Sequence, residues 1–364
     1  MHSPGRGGRP RPPAPSAPQG PCGRAPTRRA VLCLLLATAC AHQESFSHHE
    51  VPAGGPFAAG APLRLTYNIG ADAFAAWSAD GQTLYYAVQD SFSNDKDRCI
   101  ASLPAGGGVQ RRLQCPRIAR NDTTEMLEQP AVLDGQVVWA RNDLGVDEHS
   151  PFRHTLWLAP LAPDTPGQLL QTFPYVAPTG RPHDAPLYLQ WLRPGVLLYL
   201  GAQNGCCRKD TLRFGEQVVV LDISGPAPLR TFVPGTNWAS ALAADADGHT
   251  IYYTFTGESR VMRQDLTTGD TTLVHDFGPG HIVRDPQVSG NRLVAIIDGQ
   301  PVLADRPPLG FGQVDYGGHL VVVDLVTGVE TLVPDGGRFY KRPRLSPDGN
   351  SIIAEGFPYV ISSI

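Results

Sequence analysis

The chain has 364 residues, of which 41% are apolar, 18% charged and 8% aromatic, with 39 Gly and 35 Pro. That apolar content excludes disorder throughout, and Gly and Pro above their usual ~7% and ~5% favour many turns over the long helices of a bundle. The formal charge of -4 is unevenly spread: residues 1–39 hold six Arg and no acid, leaving 24 basic against 34 acidic residues, and that balance of -10 argues against a nucleic-acid partner.

Residues 1–26 are rich in Pro, Gly and Arg and cannot bury a core. Thr27-Arg28-Arg29 follows, then an apolar run from Ala30 to Ala39 that closes on Ala37-Thr38-Ala39-Cys40. Ten helical residues rise only ~15 Å, half of the ~30 Å hydrocarbon core, so the run reads as a secretory signal over 1–39 rather than a membrane span. The small residues before Cys40 resemble the lipobox of bacterial lipoproteins, with Ala37 where Leu is usual. That resemblance implies a diacylated Cys40 and a stable lipid anchor. A plain cleaved signal is the alternative. Thr27 to Leu32 also resembles a twin-arginine signal, and both export routes stay open.

Residues 40–61 have no apolar period and read as a flexible tether. The adjacent His48 and His49 point in different directions and lack further spaced ligands, which makes them linker residues rather than a metal site.

From residue 62 onward the pattern is of strands. Asp80-Gly81-Gln82-Thr83-Leu84-Tyr85-Tyr86 returns as Asp247-Gly248-His249-Thr250-Ile251-Tyr252-Tyr253, and Asp265 to Val274 returns as Asp324 to Val333 at an offset of 59. In register with these stand six turns: Asp80-Gly81, Asp134-Gly135, Pro194-Gly195, Asp247-Gly248, Ser289-Gly290 and Asp348-Gly349. Each precedes an apolar strand: Leu84 to Val88, Val137 to Ala140, Val196 to Leu200, Ile251 to Phe255, Leu293 to Ile297 and Ile352 to Ala354. Unbroken apolar runs imply burial on both faces, as in small sheets stacked around an axis. The expected fold is all-β: a six-bladed β-propeller over residues 62–364, with four-stranded antiparallel blades. The last unit has strands at Arg342 to Ser346, Ser351 to Glu355 and Tyr359 to Ser362 and lacks a fourth, which Leu63-Arg64-Leu65-Thr66-Tyr67 is expected to supply, closing the ring.

Leu345-Ser346-Pro347-Asp348-Gly349, with its weaker relative Trp77-Ser78-Ala79-Asp80-Gly81, resembles the Ser-Pro-Asp-Gly repeat of TolB-like, WD-repeat-related six-bladed propellers of the bacterial periplasm. The resemblance covers roughly residues 62–364. It implies a fold rather than a chemistry, because this architecture hosts enzymes and scaffolds alike.

Export implies an oxidising compartment for Cys40, Cys99, Cys115, Cys206 and Cys207. A hairpin centred on Ala105 to Gly108 sets Cys99 opposite about 114, so a Cys99–Cys115 disulfide is expected. Cys206-Cys207 lies in a polar loop and is open between a vicinal disulfide and two exposed thiols.

The connections at Gln89 to Arg98, Asp143 to Arg153, Gly201 to Glu216 and Asp298 to Gly318, with Pro116 to Glu125 and Pro174 to His183, are long and fall on one end of the propeller. The channel mouth on that end is expected to be ringed by Asp72, Glu128, His183, Asp184, Asn237, Arg284, Asp285, Lys341 and Arg342. These residues suit a polar ligand or cation, and equally an ordinary hydrated channel. Asp90, Asn94, Asp95 and Asp97 form an acidic loop without the helix-loop-helix calcium pattern.

Two readings of function follow. The first, implied by the TolB-like resemblance, is a non-enzymatic binding or scaffold lipoprotein with no cofactor, expected to be monomeric, membrane-attached only through its lipid and engaging an envelope protein, peptide or glycan on the long-loop face. The second resembles gluconolactonase-type six-bladed propellers, in which Ca²⁺ on the axis would polarise an ester or lactone carbonyl; Glu128, Asp184, Asn237 and Asp285 are its candidate ligands. A propeller-plus-hydrolase peptidase is excluded by the lack of a Gly-x-Ser-x-Gly elbow.

Overall fold

The computed structural model describes residues 65–66, 72–89, 98–115, 123–145, 153–173, 186–202, 216–302, 315–334 and 338–358. The predicted signal over 1–39, the tether over 40–61, Cys40, Cys206, Cys207, the acidic loop at 90–97 and most of each long connection lie outside these residues.

Among the described residues every regular element is a strand. The first antiparallel sheet holds β1 (Asp72–Trp77), β2 (Thr83–Val88), β3 (Cys99–Pro104) and β4 (Arg111–Gln114) in chain order. The second holds β5 (Thr123–Leu133), β6 (Gln136–Gly145), β7 (Arg153–Pro160) and β8 (Gln168–Phe173). The third is β9 (Leu187–Arg193), β10 (Val196–Ala202), β11 (Glu216–Asp222) and β12 (Leu229–Phe232), and the fourth β13 (Ala239–Ala244), β14 (Thr250–Phe255), β15 (Arg260–Asp265) and β16 (Thr271–Asp276). A fifth comprises β17 (Val283–Ser289), β18 (Arg292–Val302), β19 (Asp315–Asp324) and β20 (Glu330–Leu332), and a hairpin of β21 (Arg338–Leu345) and β22 (Ile352–Pro358) follows. The innermost strands touch in the cyclic order β1, β5, β9, β13, β17, β21 and back to β1, the arrangement of a β-propeller.

Of the six four-stranded blades expected, the described residues form five in full and show the sixth unit as a two-stranded hairpin. That hairpin joins the fifth sheet through a single pair, Gly318 with Tyr340. Its expected third strand at Tyr359 to Ser362 lies outside the described residues, as does the closing strand except for Leu65 and Thr66, which are not in a strand.

The second strand of each unit is the apolar run read from the sequence, and its burial explains why. Leu84 to Val88, Val196 to Leu200 and Leu293 to Ile297 are all buried, because each central strand packs against a neighbouring sheet on either face. The core is therefore a ring of inter-sheet clusters rather than one centre. Ala131, Val138 and Leu156 meet Leu189, Leu197, Tyr199 and Val219 between the second and third sheets, and Leu198 and Val218 meet Leu242, Ile251 and Tyr253 between the third and fourth. Each fully buried Leu or Val contributes about 1.5–3 kcal/mol relative to exposure.

The tight turns follow the sequence closely. All six predicted turn glycines, Gly81, Gly135, Gly195, Gly248, Gly290 and Gly349, have φ between 56° and 77°, a region that a Cβ disfavours. In the Ser-x-Asp-Gly turns, Ser78 Oγ donates to Asp80 Oδ1 at 2.6 Å and accepts from Thr83 N at 2.9 Å, while Gln82 N donates to Asp80 Oδ1 at 3.0 Å. Ser346, Asp348, Asn350 and Ser351 repeat the arrangement. These donors hold the Asp80 and Asp348 carboxyls below their ordinary range. The expected disulfide is present: Cys99 opens β3, Cys115 follows β4, and their Cα atoms are 4.3 Å apart.

Candidate functional site: the axial cavity

Five of the six innermost strands carry the same irregularity. Their pairing slips between Ala73 and Ala76, Glu128 and Ala131, Leu187 and Gln190, Arg284 and Gln287, and Lys341 and Arg344. Inside each slip sits a non-glycine residue with positive φ: Phe74 at 58°, Gln129 at 53°, Tyr188 at 56°, Asp285 at 50° and Arg342 at 48°. Each such residue costs about 1–3 kcal/mol, so the surrounding structure must hold it. In β13 the slip falls between Ala239 and Ala241, and the left-handed residue, Trp238 at 73°, precedes the strand.

Side chains from adjoining units supply that hold. Gln129 Oε1 accepts from Leu189 N at 3.1 Å while its Nε2 donates to Pro186 O at 2.7 Å. Asp285 Oδ2 accepts from Arg342 N at 2.8 Å, and Glu355 Oε1 accepts from Phe74 N at 2.7 Å. Away from the β13 slip, Gln190 also links two units: it accepts from Ala244 N at 2.8 Å and donates to Leu242 O at 3.1 Å. A carboxylate or amide oxygen satisfies a main-chain N–H where the ladder is interrupted.

The bulges border a cavity of about 510 Å³, within the range of small-molecule sites. Its wall includes Arg284, Arg342, Arg344 and Glu216, the amides of Gln129, Gln190 and Gln287, and the rings of Phe74, Trp77, Tyr188 and Trp191. The charges divide into those already paired and those that are not. Buried Glu355 takes Arg342 Nη1 at 2.9 and 3.1 Å and Lys341 Nζ at 3.5 Å, and the Arg342 guanidinium lies 4.3 Å from the centre of the Phe74 ring. Buried Asp285 accepts from the Tyr188 hydroxyl as well as from Arg342 N. Burial, followed by the Asp285 charge, pushes the Tyr188 hydroxyl well above its ordinary value.

Arg344 and Gln287 differ from these. Arg344 Nη1 and Gln287 Nε2 are enclosed and have no hydrogen-bond partner. Burial depresses the Arg344 guanidinium, against the opposing pull of Asp285. Glu216, partly buried at the same wall, is pushed up to about 7 by desolvation, which the nearby Arg284 charge only partly offsets.

Of the residues expected at the channel mouth, Arg284 and Arg342 line the cavity, and Asp285 and Lys341 are buried beside it. Asp72 begins β1, Asn237 is exposed in a turn, and His183 and Asp184 lie outside the described residues. Glu128 is ion-paired with Arg98. Among the described residues no three His, Cys, Asp or Glu side chains are close enough to share a metal ion. The sequence reading missed Gln129, Tyr188, Glu216, Gln287, Arg344 and Glu355. The cation run Lys341-Arg342-Pro343-Arg344, three charges in four residues of one strand, was the available signal.

No family model matches the chain, and no curated protein matches it. Its fold is similar to a protein assigned as TolB from Agrobacterium tumefaciens, at 16% identity and a TM-score of 0.48, over 80% of this chain and 91% of that one. It is also similar to TolB from Acinetobacter baumannii, at 12% identity and 0.48, over 77% of this chain and 65% of that one. A chain of a nidogen/laminin complex is similar at 14% identity and 0.42, over 71% and 77%. The five four-stranded blades stand on their own hydrogen bonds, independently of these likenesses.

Proposed function

We propose that the chain is a non-enzymatic binding module of the bacterial cell envelope, exported by a signal over residues 1–39, anchored through a diacylated Cys40 and presented on the tether over 40–61. The observation that carries the binding reading is the division of labour at the axis. Asp285 and Glu355, the acids best placed for chemistry, are committed to main-chain N–H groups and cations, while an open cavity with donors lies between the inner strands. A carboxylate holding strained backbone is poorly free to act as a base or nucleophile. The Cys99–Cys115 disulfide supports export, since such bonds persist in oxidising compartments. A protein, peptide or glycan of the envelope is the partner this reading assigns to the long-loop face.

Two measurements test it. Cys40→Ala should move the protein from the detergent phase to the aqueous phase, and unchanged partitioning overturns the anchor. Crosslinking in intact cells should join the wild-type protein to a defined envelope component, and a chain that crosslinks to none overturns the scaffold role.

A further inference from the structure

Arg344 is a half-buried cation at a cavity wall with one enclosed donor left over. Its Nη1 has no acceptor, although Asp285 and Glu355 are both near enough to act on its charge. Those two acids are occupied: Asp285 by Tyr188 and Arg342 N, Glu355 by Phe74 N, Lys341 and Arg342. Gln287 Nε2, on the neighbouring inner strand β17, is a second enclosed donor without an acceptor. An enclosed donor left unpaired costs about 1–3 kcal/mol, and more on a charged group, so an acceptor brought to Arg344 and Gln287 by a ligand would recover that cost.

We propose that the axial cavity binds a small organic acid, its carboxylate accepting from Arg344 and Gln287 and its apolar body lying along the inner strands. This rests on the reading of the propeller as a binding module and assigns the cavity its ligand class. Of the lining cations Arg284, Arg342 and Arg344, Arg342 is already paired with Glu355, and Arg344, with a donor left over, is the one that favours an anion. Arg344 and Gln287 both line the cavity, and guanidinium is the side chain best shaped for a planar carboxylate. A phosphate would bring more acceptor oxygens than these donors satisfy. Beside the cations and amides the wall also offers apolar surface from Ala75, Ala76, Val132, Leu133, Leu189 and Leu345, along which a hydrocarbon body can lie.

The test is calorimetric titration of the full-length protein as purified with 4-phenylbutyrate, hexanoate, 4-phenylbutyramide and inorganic phosphate at pH 6. A carboxylate should saturate one site per chain, while the amide and phosphate should bind at least tenfold more weakly. Arg344→Gln should weaken the carboxylate at least tenfold. Because that variant touches a half-buried charge, Gln287→Leu provides a second arm that keeps the volume and removes only the neutral donor, and it should weaken binding severalfold with an unchanged melt. Failure of both carboxylates to bind, amide or phosphate binding equal to the acid, or full affinity in folded Gln287→Leu and Arg344→Gln overturns the proposal. The titration is independent of Cys40 and of crosslinking, so its failure is separable from failure of the envelope role.

Discussion

Asp285 and Arg342, 57 residues apart on the inner strands of adjacent units, are joined by a 2.8 Å hydrogen bond from the Arg342 main-chain N–H to Asp285 Oδ2, and both residues have left-handed backbone. One strained residue thus holds the next. The same carboxylate accepts from Tyr188 of the third sheet, so a single buried acid ties three units around the axis.

Asp285→Ala should therefore destabilise the protein by about 3–5 kcal/mol, because it strands a buried main-chain donor and removes the anion facing Arg344. Asp285→Asn keeps an oxygen for Arg342 N and should cost less. Urea unfolding of both variants checks this, and equal losses would show that charge rather than the backbone acceptor is what matters.

Glu355 joins the last unit to the first. Its Oε1 accepts from Phe74 N across 281 residues, and Trp77 Nε1 reaches Arg344 O at 3.1 Å across the same junction. Glu355→Gln should preserve the Phe74 contact while removing the Glu355 charge beside Lys341 and Arg342, and Glu355→Ala should lose both. We expect melting to fall in the order wild type, Gln, Ala, with hydrogen exchange in β1 and β21 accelerating first. Loss confined to β22 would place ring closure elsewhere.

Much of this ring was legible in the sequence, because turns and central strands obey local rules. A Gly is needed where φ is positive, and all six turn glycines could be placed from residue type alone. The apolar runs announced burial on both faces, and compartment with register announced the Cys99–Cys115 bond. The bulges were not legible. Phe74, Gln129, Tyr188, Asp285 and Arg342 share a backbone conformation and no residue type, since each is held by an acceptor or contact from an adjoining unit rather than by its own preference. For the same reason the sequence offers Asp285 as a candidate ligand without showing that it accepts from the Arg342 main chain.

The link between the fifth sheet and the final hairpin depends on a glycine. A Cβ on Gly318 would fall inside van der Waals contact of the Ile297 carbonyl oxygen and 2.8 Å from Ile296 Cγ2. Gly318→Ala should cost about 1–3 kcal/mol through overpacking, whereas Gly225→Ala, whose nearest neighbour would be 3.8 Å away, should stay within ~0.5 kcal/mol. Matched thermal melts distinguish the two.

The disulfide closes a loop of 16 residues in sequence separation within the first sheet. Reduction, or Cys99→Ser with Cys115→Ser, should lower stability by about 3 kcal/mol on the chain-entropy account. A reduced protein that unfolds at the same urea concentration would show that the hairpin is held fully by its strand pairing.

Glu216 gives the cavity a pH response whose sign can be worked out. Burial raises its folded-state value from 4.5 to about 7, with Arg284 opposing the rise and the Tyr188 hydroxyl sharing the same surroundings. Between those values the folded chain keeps a proton that the unfolded chain has released, so stability declines as pH rises through this window. The full penalty, about 3 kcal/mol at ~1.4 kcal/mol per pKa unit, is reached above pH 7. Glu216→Gln is neutral at every pH and should remove the decline, matching wild type near pH 4 and exceeding it at pH 8. Ionisation also adds a negative charge to the wall that Arg344 and Gln287 share, so 4-phenylbutyrate should bind more weakly at pH 8 than at pH 6 in the wild type and equally at both in Glu216→Gln. Parallel stability curves for the two proteins would refute the burial of this acid, and a pH-dependent affinity that survives in Glu216→Gln would assign the titration to another group.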